Sequence, residues 1–167
     1  QAPIPTLVKN IQRIYRACKT AGIPVFYTAQ PKQQDPADRA LLNDFWGSGV
    51  TAPHFQEQQP IITELAPGED DTVLTKWRYS AFVRSDLAQC LKAHGRDQLI
   101  ITGIYAHIGC MTTALDAFMH DIQPFFMLDA TADFSEQEHK MAINYVAQRC
   151  GVSLSTQQLL HGLEDKS

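Results

Sequence analysis

Several kinds of pattern are missing from this chain of 167 residues. The four cysteines, Cys18, Cys90, Cys110 and Cys150, lie far apart with no CxxC pair, which argues against both a zinc cluster and a disulfide framework and for reduced thiols. The six histidines show no HxxxH or HxH spacing, so no metal site is expected. No apolar run reaches the roughly 18 residues needed to cross a bilayer, and the N-terminus lacks a basic-then-apolar export signal. Charge of one sign is also scarce: 14 Lys and Arg against 18 Asp and Glu leave a net charge of -4, which disfavours nucleic acid and anionic membrane as partners. These absences lead us to expect a cytoplasmic protein.

What is present suits one compact domain, with 44% hydrophobic and 19% charged residues. Leu7, Val8, Ile11, Ile14, Tyr15 and Cys18 recur at helical spacing ahead of Gly22, which predicts a helix over residues 6–21. The period then changes. IPVFYTAQ (23–30), DTVLTKW (71–77), QLIITGIY (98–105), PFFMLDA (124–130) and GVSLST (151–156) read as five short strands buried on both faces. Between them stand helical patterns. One follows Ser85 and stops at Gly95, one carries Met111, Leu115, Phe118 and Ile122, and one opens on a capping box of Ser135 and Glu138. Such alternation predicts an α/β fold, a three-layer αβα arrangement with a mainly parallel, Rossmann-like sheet. Residues 31–70 differ, being rich in proline and glutamine, and read as a short helix and a long loop, the kind of segment that covers a site.

Ligands of open parallel sheets bind where the strands end. That rule selects Gln30, Lys76, Tyr105 and Asp129. A lysine directly after TVLT is costly to bury without an anion, although a strand-end lysine reaching solvent is the alternative. Gln30 and Asp129 read equally as turn or cap residues. Arg39 and Trp46 combine a guanidinium fork with an aromatic wall, suited to a planar carboxylated molecule, against the alternative of a surface salt bridge and a core tryptophan. His107 reads as a histidine hydrogen-bonded in its turn more readily than as a base. The corner GC at Gly109 and Cys110, between a strand and a helix, is where a nucleophile would stand.

The motifs TGIYAHIGCMTTALDAFM, TVLTKWRYSAF, FYTAQP and DRALLNDFWG closely resemble the isochorismatase domains of siderophore biosynthesis, within the isochorismatase-like cysteine hydrolase superfamily. In the amidases of that superfamily, a catalytic cysteine stands four residues before the threonine of a TALDA-like helix start. Thr113 opens TALDA here, so the matching position is Gly109, and Cys110 is one residue out of register. One helical step turns a side chain by about 100°, which sends the Cys110 thiol elsewhere. Glycine at 109 leaves room beside a helix N-terminus, whose free amides would favour an anion.

The resemblance implies hydrolysis of the enol ether of isochorismate to pyruvate and 2,3-dihydro-2,3-dihydroxybenzoate, with no cofactor. The vinyl carbon is protonated, water adds to the oxocarbenium ion and the hemiketal collapses, so a positioned general acid suffices. It also implies an acidic aspartate beside Lys76, substrate contacts from Gln30, Arg39, Trp46 and Tyr105, and a space-making Gly109. The implied partners are isochorismate, an aryl carrier domain, siderophore synthetases and a second copy of the chain in a homo-oligomer. The family's aspartate ends an N-terminal central strand with no counterpart in this sequence. The chain is therefore expected to be a single domain over residues 1–167, truncated at its N-terminus and without an aryl carrier domain, with a gap in sheet pairing. Two other readings stay open: a cysteine-dependent amidase using Cys110, and a non-catalytic domain that docks carrier proteins.

Overall fold

The computed structural model describes residues 3–49, 52–55 and 60–164. Helix α1 (Ile4–Thr20) buries Leu7, Ile14 and Cys18 on one stripe, as their spacing dictates. It ends where Gly22 adopts φ +64, with Ile23 N–H bonded to Cys18 O at 2.8 Å and Gly22 N–H to Lys19 O at 3.2 Å. That paired closure satisfies carbonyls the helix leaves open. Gly95 ends α4 (Leu87–Ala93) the same way, through Arg96 N–H to Leu91 O and Gly95 N–H to Lys92 O.

All five expected strands form, four of them trimmed and the fourth extended: β1 (Phe26–Ala29), β2 (Thr72–Thr75), β3 (Gln98–Ile104), β4 (Gln123–Ala132) and β5 (Val152–Leu154). Every pairing is parallel. Alternate residues serve opposite faces. Ile101 and Phe126 pack with α5 (Met111–Met119) and α6 (Glu136–Arg149), whereas Ile100 and Met127 pack with α1 and α7 (Thr156–Glu164). This period of two over helices on both sides is what makes the domain three-layered. Phe126, Met127 and Val146 are wholly buried; each such side chain contributes about 2 kcal/mol of apolar transfer.

The described strands make two sheets, β1-β2 and β3-β4-β5. Phe26 of β1, Leu74 of β2 and Leu99 of β3 nevertheless share one apolar cluster with α4 and Ala117 of α5, so one helix layer covers a face of both sheets. Among the described residues, β1 pairs only with β2 and β3 only with β4, so each keeps an edge without a strand partner.

Three local expectations change. The fourth strand runs on to Ala132, which puts Asp133 at its carboxyl end in place of Asp129. Asp129 instead accepts from the N–H and hydroxyl of Thr156, both at 2.8 Å, and so anchors the start of α7, a helix that the sequence reading missed. The loop region holds two short helices, α2 (Pro36–Arg39) and α3 (Leu42–Trp46), rather than one; Asp35 caps the first by accepting from Ala37 N–H at 2.7 Å. Val50 and residues 51 and 56–59 of that region lie outside the described residues. No helix among the described residues is long and apolar enough to cross a membrane.

Candidate active site

Because all strands are parallel, Gln30, Lys76, Tyr105 and Asp133 follow β1, β2, β3 and β4 at one end of the fold. Lys76 N–H closes the β1–β2 ladder on Ala29 O at 2.8 Å, which sets Gln30 and Lys76 next to each other in register. The Lys76 side chain does not run to solvent. Its ammonium donates to Tyr79 O at 2.9 Å, and burial holds its pKa below the ordinary 10.5.

Arg39 is 3% exposed, and desolvation lowers its pKa too. Its Nε donates to Gly47 O at 2.5 Å, and Nη1 reaches Gln30 Oε1 at 3.4 Å and Gln34 Oε1 at 3.3 Å. Among the described residues no carboxylate comes within the 4.0 Å of an ion pair of either cation. Lys76 and Arg39 are thus two desolvated cations with no ion-pair partner among the described residues, a setting that suits an anion.

The corner after β3 departs from a plain helix start. The Ile104–Tyr105 peptide bond is cis, and a single turn of π-helix spans Ala106–Cys110 before α5 begins. The N–H groups of Ile108, Gly109 and Cys110 all converge on Tyr105 O, at 3.3, 3.0 and 3.2 Å. The His107 N–H goes to Asp133 Oδ2 at 2.6 Å. The expectation of free amides waiting for an anion is thus corrected: the wider turn consumes these donors internally, and side-chain cations take the electrostatic role.

Gly109 and Cys110 separate as their register predicted. A Cβ built on Gly109 would meet Lys76 Cε at 3.4 Å, Lys76 Nζ at 3.5 Å and Tyr79 O at 3.4 Å. Position 109 therefore faces the ammonium. Cys110 packs into the core with Ile101, Ala106, Ala114 and Phe126, and burial pushes its thiol up to about 12. A thiol held protonated in the core is no nucleophile at neutral pH.

Trp46 and Tyr105 belong to a wall of rings. Tyr105 stacks on Phe134 with centroids 3.9 Å apart, and Phe134 stacks with Trp46 at 6.4 Å. Trp46 Nε1–H donates to the Tyr79 hydroxyl at 2.8 Å, which ties the α3 segment to the loop after Lys76. Trp46, Tyr79, His107 and Phe134 line a cleft of about 440 Å³. Tyr79 joins the two halves of the site, since its carbonyl holds the Lys76 ammonium and its hydroxyl holds Trp46. Tyr79 and Phe134 were missed in the sequence reading. Tyr79 stands three residues beyond Lys76 and Phe134 just beyond the end of β4, so the strand-end rule applied a few residues further would have found both.

His107 bonds through Nδ1 to Asp133 Oδ1 at 2.7 Å, the hydrogen-bonded turn histidine that was expected. With Glu138 it forms a group of ligand types within 4.8 Å of one another. The Asp133 carboxylate is already committed to the His107 N–H, the His107 ring and, at 2.9 Å, the Phe134 N–H, and Glu138 accepts from the Ser135 hydroxyl at 2.7 Å. The group thus acts as a clamp on the corner, holding the π-turn to the end of β4.

Comparison with known proteins gives the same picture. The family model described as the isochorismatase domain matches residues 1–158. The isochorismatase of Bacillus subtilis (strain 168) is 55% identical over 164 residues, which cover 98% of this chain and 52% of that protein. Enterobactin synthase component B of Escherichia coli (strain K12) is 59% identical over 154 residues, covering 92% of this chain and 53% of that protein. The chain therefore spans about half the length of these two relatives. Among solved structures, a cysteine hydrolase from Pseudomonas syringae pv. phaseolicola 1448A superposes with a TM-score of 0.90 at 23% identity, over 98% of this chain and 82% of that one, a likeness of fold.

Proposed function

The chain belongs to the isochorismatase family, and on that premise we propose that it cleaves the enol ether of isochorismate to pyruvate and 2,3-dihydro-2,3-dihydroxybenzoate as part of siderophore biosynthesis. The observation that carries this reading is the contrast at the corner. At Gly109 only a hydrogen faces the Lys76 ammonium, where a Cβ would already touch Lys76 and Tyr79 O, while the neighbouring thiol is sealed in the core. Among the described residues such a corner presents no cysteine nucleophile for acyl transfer, and its ammonium suits an anionic substrate.

In this reading Arg39 and Gln30 bind a substrate carboxylate, Trp46 and Tyr105 with Phe134 and Tyr79 wall the ring, and Gly109 accommodates it. Lys76 holds the general-acid carboxylate that protonates the vinyl carbon, and its charge lets the acid ionise without leaving a buried anion unpaired. Water adds to the oxocarbenium ion and gives one proton back to the carboxylate; the hemiketal then collapses to pyruvate as its C–O bond to the ring substituent breaks and its hydroxyl proton passes to the departing oxygen. The acid is assigned to an aspartate on a strand bonded to the open edges of β1 and β3. Two facts support that assignment: both edges lack a partner among the described residues, and so does the Lys76 charge. The likeness to enterobactin synthase component B supports the pathway, and synthetase components are proposed as partners on the same ground.

The test is pyruvate release from isochorismate by the full-length protein, read by coupling to lactate dehydrogenase. Cys110→Ala should turn over normally and lose about 1 kcal/mol of stability for its deleted buried sulfur. Iodoacetamide should leave the native enzyme active. Abolished turnover in Cys110→Ala would replace this reading by thiol-dependent amide hydrolysis.

A further inference from the structure

Arg39 sits in a tight backbone collar. Gly47 O takes its Nε, and Gln30 and Gln34 take Nη1. The remaining nitrogen, Nη2, has no hydrogen-bond acceptor among the described residues and lies against Gly49. A Cβ built on Gly49 would stand 2.6 Å from Nη2, 3.3 Å from Cζ and 3.5 Å from Nη1, so it would strike the guanidinium edge whose donors are free. Gly49 itself lies at φ +52, and its carbonyl accepts from Ala52 N–H at 3.1 Å. At 2.6 Å such a contact cannot stand, and the guanidinium would have to move.

We infer that Gly49 is a positioning residue for substrate binding: the hydrogen in place of a side chain lets Arg39 keep its fork seated with Nη2 open to a substrate carboxylate. The inference rests on the reading of Arg39 as a carboxylate-binding residue. With Nε and Nη1 engaged, Nη2 alone can donate to a carboxylate, so its orientation matters as much as its charge. Gly49 carries no chemistry of its own and acts through the seat it leaves.

The experiment is steady-state kinetics of the full-length protein on isochorismate, with thermal melting alongside. Gly49→Ala should raise KM on the order of tenfold, the scale of losing one charged hydrogen bond, with kcat little changed. Gly95→Ala is the control for backbone strain, because Gly95 has φ +62 with nothing within 4 Å of an added Cβ and lies after α4, outside the site. It should lower the melting temperature and leave KM alone. In an Arg39→Ala background, Gly49→Ala should add no further KM penalty, and its melting loss should shrink to that of Gly95→Ala. A normal KM in Gly49→Ala, beside a raised KM in Arg39→Ala, would overturn the inference while preserving the Arg39 reading. So would an undiminished Gly49→Ala effect in the Arg39→Ala background. A normal KM in Arg39→Ala would overturn both. Should Gly49→Ala melt too low to assay, the melting comparison across the two backgrounds decides the same question.

Discussion

Replacing Lys76 with methionine in the full-length protein should slow pyruvate release by about 10²–10⁴-fold, the usual contribution of positioned proton transfer. The side chain is half-buried, its ammonium is held by Tyr79 O at 2.9 Å, and it touches the space over Gly109. Methionine keeps much of the stem and removes the charge, so the partner acid would lose the cation that lets it ionise in a desolvated site. Near-normal kinetics would remove Lys76 from the mechanism. The same substitution makes a thermodynamic prediction for the 167-residue domain. Burial lowers the Lys76 pKa from its ordinary 10.5, so between the lowered value and 10.5 the unfolded chain binds more protons than the folded one. Stability then rises with pH across that window, and below it the folded domain carries the full cost of a desolvated ammonium. Lys76→Met should abolish this rise and melt no lower than the parent at neutral pH. Melting curves collected as pH approaches 10.5 would reveal the slope, and an identical slope in both proteins would contradict the burial argument.

The second large effect is expected at Gly109. A Cβ there would lie in van der Waals contact with Lys76 Cε, Lys76 Nζ and Tyr79 O, so alanine is sterically tolerable and the added sulfur of Gly109→Cys is what would crowd the ammonium. A thiol beside an ammonium also ionises readily, and the resulting thiolate would neutralise the charge the reaction uses. Gly109→Cys should therefore lose at least about 100-fold in kcat/KM, with alanine intermediate; a loss of that size is about 2.7 kcal/mol of transition-state stabilisation. It should also gain rapid alkylation by iodoacetamide, which the buried Cys110 does not support. If Gly109→Cys kept its kinetics, position 109 would not face the reacting end of the substrate.

Much of the site was legible because it obeys short-range rules. Lys76 directly follows a strand pattern, and in a parallel sheet a strand end is a site position whatever the rest of the chain does. The one-residue offset between Gly109 and Cys110 was readable because a register on a helical turn decides which way a side chain points. The amide donors of residues 108–110 were misjudged for the opposite reason. Whether they stay free depends on a π-turn that folds them onto Tyr105 O, and on Asp133 arriving from β4 to take the His107 N–H, neither of which has a periodicity to read. Tyr79 and Phe134 were overlooked because each lies in irregular chain just past a strand.

The sequence alone determined the five strands, the glycine-terminated helices and the segregation of Cys110 from position 109, since hydrophobic period, backbone sterics at glycine and helical rotation act within a few residues. Tertiary structure decided what required distant segments to meet. It set the Gly47 and Gly49 collar around Arg39, bridged Lys76 to Trp46 through Tyr79, and gave Asp129 and Asp133 their separate anchoring tasks. Those contacts depend on the angle and depth at which loops cross the sheet ends, which packing of the whole core sets and no local pattern encodes.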